Sequence, residues 1–165
     1  MYLISACLAG VNCKYNGGNN DCAWVREFME GKDCMLVCPE GLGRLPTPRP
    51  PSEFKNGRAI DKNGKDITGN LISGAEKTLE MAEKRAAELG QKIELAILKA
   101  NSPSCGSGKI YDGTFSGVLV DGDGIFAAML KKKGIPVITE QQKEAADKYK
   151  KSLRAMNRKK SKQED

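Results

Sequence analysis

Histidine is missing altogether from these 165 residues. Its absence removes the usual nitrogen ligand for metals and one common base, so any proton shuttle must use a carboxylate, thiol, hydroxyl, amine or water. The sequence also lacks any stretch near the ~18 apolar residues of a membrane span, and Met1 is followed almost at once by a strand-like run with no charged leader and no apolar signal core. A cytoplasmic protein with no membrane partner is expected. No C-x-x-C pair occurs among the six cysteines, which argues against a structural zinc site built from close pairs. Cys34 and Cys38 are separated by three residues, with no Trp or Gly-Pro signature before them, a poor match to a thioredoxin-type oxidoreductase.

Charge excludes less than its total suggests. The formal net charge is +6, but from Lys143 to Asp165 nine Lys/Arg face four Asp/Glu, leaving residues 1–142 close to neutral at about +1. Tyr149 is the one aromatic residue in that tail. Nucleic-acid binding as the main task is therefore disfavoured, and residues 143–165 read as a basic C-terminal helix and tail. Residues 1–142 read as one α/β domain, since the length suits a single core that buries roughly two-thirds of the unfolded surface.

What the sequence does contain is sulfur in telling positions. Cys7, Cys38 and Cys105 each stand where a short apolar run gives way to a turn, in YLISAC, CMLVCPE and LAILKANSPSC. In a parallel sheet the carboxyl ends of strands share one rim, so three thiols so placed can meet although remote in sequence. Three protein ligands leave a metal centre one open position, the arrangement of a catalytic site rather than a structural one. In a chain with its own apolar core and no export signal, reduced or ligating thiols are favoured over disulfides. Cys22, at a helix start, and Cys34, entering a strand, read as structural.

The pattern of elements supports that geometry. Strands are predicted over Tyr2–Ala6, Met35–Val37, Ile93–Leu98 and Ile135–Ile138, and helices over Asp21–Met29, Thr68–Leu89 and about Ile125–Leu130. Asp21 and Asp121 or Asp123 are candidate N-caps, and Gly31, Gly90 and Gly134 candidate stops. Leu8–Asn20 reads as a polar loop. PEGLGRLPTPRPP, with five prolines in thirteen residues, is expected to exclude helix and to form a stiff extended wall. Asn63-Gly64 carries type I′ turn chemistry between Arg58–Ile60 and Asp66–Thr68, so a small β-ribbon is expected there. The alternation predicts a three-layer, open, mostly parallel sheet with helices on both faces, Rossmann-like in plan.

Two further segments carry chemistry. NSPSCGSGKIYDGTFSG, residues 101–117, has four glycines and four serines around Cys105, suited to close backbone approach to a small ligand. It lacks the Walker spacing of a phosphate loop, because Lys109 is followed by Ile110. Cys38-Pro39-Glu40 places a carboxylate two residues from a candidate ligand.

Together, SACLAGVNCKYNGG, VCPEGLGRLPTPRPP and LKANSPSCGSGKIYDGTFSG resemble the thiouracil desulfidase family in its short single-domain form, over about Leu3–Glu140. The resemblance implies a 4Fe-4S cluster held by Cys7, Cys38 and Cys105, with one iron not ligated by protein and free to take sulfur from a thiocarbonyl compound without net redox change. The expected partner is then a small thiocarbonyl molecule, a thionucleobase such as thiouracil, which gives the oxo product and hydrogen sulfide. Cys13, six residues from Cys7, is the reserve ligand. Lys14 and Asn16 stand where Arg and Asp are frequent in that motif, which bears on substrate preference.

Glu40 is the candidate general base toward the attacking water. Ser102 and Ser104 are candidates for hydrogen bonds to a ring carbonyl or nitrogen, and Asp112 is a weaker one. The rival reading is a sulfur or metal carrier, or a structural metal-binding protein, without hydrolysis.

Overall fold

A computed structural model describes residues 1–162, with the side chains of 150–157 outside the description. Four parallel strands, β1 (Tyr2–Ser5), β2 (Cys34–Val37), β5 (Leu95–Leu98) and β8 (Val137–Thr139), form the central sheet in the order β2-β1-β5-β8. Their register aligns Leu3 with Met35 and Ala96, and Ala96 with Val137. Because all four run the same way, their carboxyl ends form one rim.

Strands covered on both sides read as nearly continuous apolar runs, and β5, LAIL, is buried at every position. Alternate residues supply the two faces. Leu3, Val37, Ala96 and Leu98 pack with α3 (Thr68–Glu88) and α4 (Ile125–Lys132). Ile4, Leu95 and Ile97 pack with Val25 and Phe28 of α1 (Ala23–Met29) and Ala146 of α5 (Lys143–Ser161). The result is the expected three-layer α/β architecture.

Helix α3 follows its sequence signal closely. Leu71, Ala75, Leu79, Ala82 and Ala86 are buried at helical spacing, and Gly90 beyond its end adopts the left-handed φ of 64°. Asp66 accepts the Thr68 N–H at 2.9 Å through Oδ1, while the Thr68 hydroxyl accepts the Ala59 N–H at 2.9 Å. The first turn of α3 is thereby tied to the neighbouring ribbon.

Several expectations give way. A helical turn, α2 (Pro39–Leu42), opens the proline-rich segment expected to exclude helix. The reason is local: Pro39 takes the first helical position, where no intrahelical N–H bond is required and proline's φ already suits the helix. Thereafter the segment is irregular and not the expected extended wall: it turns at Gly43-Arg44, where Arg44 has a φ of 64°, and bends at the cis Thr47-Pro48 peptide.

The ribbon is built from β3 (Ser52–Lys55) and β4 (Arg58–Asp61) around Asn56-Gly57, both with positive φ. Asp66 contributes only an isolated bridge to Ile60 beyond the Asn63-Gly64 turn. A second ribbon, β6 (Lys109–Tyr111) with β7 (Leu119–Asp121), lies within the glycine-serine region and its sequel. Ala6–Ala9 forms a 3-10 turn that takes the last residue of the expected strand and the first two of the expected loop.

Neither aspartate cap forms. Cys22 and Gly124 occupy the N-cap positions of α1 and α4 without side-chain capping bonds. Asp21 instead pairs with Arg26 at 2.7 Å, and Asp123 with Lys131 at 2.7 Å.

Candidate active site

A pocket of about 500 Å³ opens at the carboxyl rim, within the range typical of small-molecule sites. Cys7 reaches it from the turn after β1, Cys38 from the residue after β2, and Cys105 from the loop after β5. Glu40, Ser102 and Ser104 line the same pocket, as does Cys13. Cys22 and Cys34 pack instead against the α1/α5 side of the sheet. Asp112 is a turn former whose Oδ1 accepts the Thr114 N–H at 2.9 Å.

Close backbone packing seats these residues. A Cβ on Gly74 of α3 would collide with the Pro39 carbonyl oxygen, so glycine lets α3 lie directly against α2, the helix that carries Glu40. Asn70 reinforces the contact by donating to the Gly43 carbonyl at 2.8 Å. Gly124 does similar service beside Cys105, where a Cβ would stand 2.5 Å from the Ser104 carbonyl carbon. Ser102 shapes the loop itself, its Oγ accepting the N–H groups of Ser104 at 3.2 Å and Cys105 at 2.8 Å. Those bonds occupy its acceptor side and leave the hydroxyl proton to donate. Ser104 is buried, and its Oγ has no partner.

The thiols differ in protonation. A hydrogen bond from Cys13 is the largest influence on Cys7 and brings its thiol down to about 7 against burial, with Asn20 and the charge of Lys99 assisting. Cys13 likewise acts on Cys38, lowered to about 6 with help from the Gly41 N–H and Arg49. Cys13 has one proton and donates to one partner at a time; its own pKa is raised by these same bonds. Burial pushes the Cys105 thiol up despite a hydrogen bond from Ser5. Cys38 Sγ lies 4.0 Å from the Cys13 carbonyl oxygen, a further measure of how closely these two segments pack.

Sequence reasoning missed three charged residues. Arg49, only 4% exposed in its side chain, donates to the Glu40 carboxylate at 3.2 Å and to the carbonyls of Cys13 at 2.9 Å and Pro46 at 3.2 Å. It also reaches Thr47 Oγ1 at 2.9 Å, and its Nε is buried without a partner. Lys99 borders the pocket and pairs with Glu140 at 2.7 Å. Glu53 enters from β3. Lys99 had a sequence signal, a cation directly after the apolar run LAIL; Arg49 was hidden among prolines, and Glu53 sits in a strand without strong alternation.

Soft thiolate donors suit iron and its sulfide clusters. Among the described residues no group of three or more His, Cys, Asp or Glu is arranged to hold a single metal ion. Cys7, Cys13, Cys38 and Cys105 place four such sulfur donors around one pocket.

The 2-thiouracil desulfurase family model matches residues 2–142. A Bacillus subtilis (strain 168) protein, the uncharacterized YbbK, is 40% identical over 152 residues, covering 86% of this chain and 97% of its own length. A solved structure described as the 4Fe-4S-dependent thiouracil desulfidase TudS is similar with a TM-score of 0.74 and 38% identity, covering 86% of this chain and 91% of that one.

Proposed function

Because the chain belongs to the 2-thiouracil desulfurase family, we propose that it catalyses non-redox, hydrolytic desulfuration of a thiocarbonyl compound of the thiouracil type with a 4Fe-4S cluster. The observation that supports this reading most is the convergence of Cys7, Cys38 and Cys105 on one pocket that also holds Glu40. The overall change is C=S plus water giving C=O plus hydrogen sulfide, with no electron gained or lost.

Cys7, Cys38 and Cys105 would hold the cluster, and one iron would then have no protein ligand. When bound, the cluster supplies a soft Lewis acid with affinity for sulfur. Arg49 fixes Glu40 through Oε2, and Glu40 takes a proton from the attacking water through its other oxygen, Oε1. Ser104 Oγ, buried and unpartnered, donates to a polar atom of the substrate ring, an interaction whose formation removes the cost of leaving that hydroxyl unpaired. Ser102 donates its remaining proton beside it.

Anaerobic reconstitution with iron and sulfide, followed by measurement of hydrosulfide release from 2-thiouracil and 4-thiouracil, tests the proposal. Cys7→Ala, Cys38→Ala and Cys105→Ala are each expected to lose cluster and activity, whereas Glu40→Gln keeps the cluster and loses turnover by about 10²–10⁴-fold. Full cluster content and activity in all three cysteine variants would overturn the ligand assignment.

The carrier reading draws on Cys13, a fourth thiol able to close the open position. It requires that the loaded wild type release no hydrosulfide and that Cys13→Ala lose its cluster.

A further inference from the structure

Aromatic side chains are scarce in this chain, with four Phe, four Tyr and one Trp, yet Tyr15, Tyr111 and Phe115 all line the pocket. Phe115 is the unusual one. Its φ is 56°, in the left-handed region that bulky side chains avoid, and it belongs to none of the buried apolar clusters among the described residues. A strained conformation persists only when its surroundings impose it. Here the agent is Glu53, about nine-tenths buried, whose Oε1 accepts the N–H groups of Gly113 and Phe115, both at 3.1 Å. The segment is also pressed close to β3, because a Cβ on Gly113 would collide with the Phe54 carbonyl oxygen.

Core packing does not account for this arrangement, and a turn alone would use glycine or asparagine at position 115. We propose that Phe115, held by Glu53, is a specificity-determining residue that packs on the face of a planar heteroaromatic ring in the pocket. The inference rests on the desulfidase reading and assigns its preference for a flat ring to a named residue. A phenyl face offers no directional hydrogen bond, so it selects flatness and aromatic area and leaves ring substituents to the serines. Open-chain thioamides gain nothing from it. Glu53 is a positioning residue that acts through the backbone of the 113–115 segment.

The test uses the full-length protein reconstituted anaerobically, with equilibrium binding of uracil as a non-reacting probe beside steady-state turnover of 2-thiouracil. Asparagine tolerates the left-handed region, so Phe115→Asn removes the ring without disturbing the backbone. It is expected to raise both the Kd for uracil and the KM for 2-thiouracil about tenfold, the size of a lost base–aromatic stack. Its kcat should be nearly unchanged and its Tm no lower than that of the wild type, and Phe115→Tyr should bind as the wild type does. Glu53→Ala should weaken uracil binding to the same degree, with Glu53→Gln, which keeps an acceptor oxygen, restoring much of it.

Unchanged Kd and KM in Phe115→Asn, with an active wild type, would overturn this inference alone. A wild type that neither binds uracil nor releases hydrosulfide from 2-thiouracil would remove the desulfidase reading, and this inference with it.

Discussion

The two ends of the central sheet follow opposite rules. At the amino end α1, α3 and α4 are followed by Gly31, Gly90 and Gly134, with φ of 69°, 64° and 76°, and the next strand begins within a few residues. Polar groups there find ready partners: the Met1 ammonium donates to Gln91 Oε1 at 2.7 Å and to the Lys92 carbonyl at 2.9 Å, and Tyr149 donates to the Glu94 carbonyl at 2.9 Å.

At the carboxyl end the connections are long, and left-handed backbone falls on Arg44, Asn56, Asn101 and Phe115 as well as on glycines. Buried Arg49 Nε and Ser104 Oγ lack partners there. One end is assembled from low-cost turns and satisfied groups, the other tolerates strain and unpaired polarity. Such expense concentrates where a molecule acts.

The contrast can be broken or sharpened by substitution. The largest effect on stability is expected from Phe28→Ala, which empties a fully buried site beside Tyr2, 5.1 Å away in a T-shaped contact. Chemical denaturation should show a loss of about 3–5 kcal/mol, with kcat of the surviving folded fraction unchanged. Arg49→Met on the rim should cost about 3 kcal/mol, because Glu40 would lose a partner that is itself only 4% exposed; unlike Phe28→Ala it should also lower kcat. Equal kcat in both variants would erase the division between ends.

Gly90→Ala at the amino end should cost about 1–2 kcal/mol by forcing a Cβ into the left-handed region, again with turnover intact. The smallest effect concerns Asp66, whose carboxyl is lowered to about 2 from 3.8, chiefly by the Thr68 side chain, then by the Thr68 N–H and Arg58. A lowered folded-state value means that its stabilisation is fully present above the unfolded value near 4 and fades as pH falls through about 2. The Tm gap between wild type and Asp66→Asn should therefore be present at pH 6 and narrow steadily below pH 4.

How much of this was legible follows from what each residue answers to. Helix α3 and strand β5 answer to their own periodicity, and that Cys7, Cys38 and Cys105 could share a rim followed from strand ends alone. Turn α2 was obscured because proline is read as a breaker, although the same residue is welcome at a first helical position. Arg49 could not be read because it stands among prolines in an irregular segment, and Glu53 because its partner Phe115 lies 62 residues away. The second ribbon was masked by a glycine-serine composition that suits turns as well as strands. In the tail, the predicted helix corresponds to Lys143–Ser161, while residues 163–165 lie outside the described residues.

One guanidinium binds the thiol-bearing loop at Cys13, the proline segment at Pro46 and Thr47, and the short helix at Glu40. Three stretches of chain therefore share a single rivet. Thermal loosening should release them in lockstep, with amide exchange accelerating in all three at one temperature while the glycine-stopped turns at the far end stay closed.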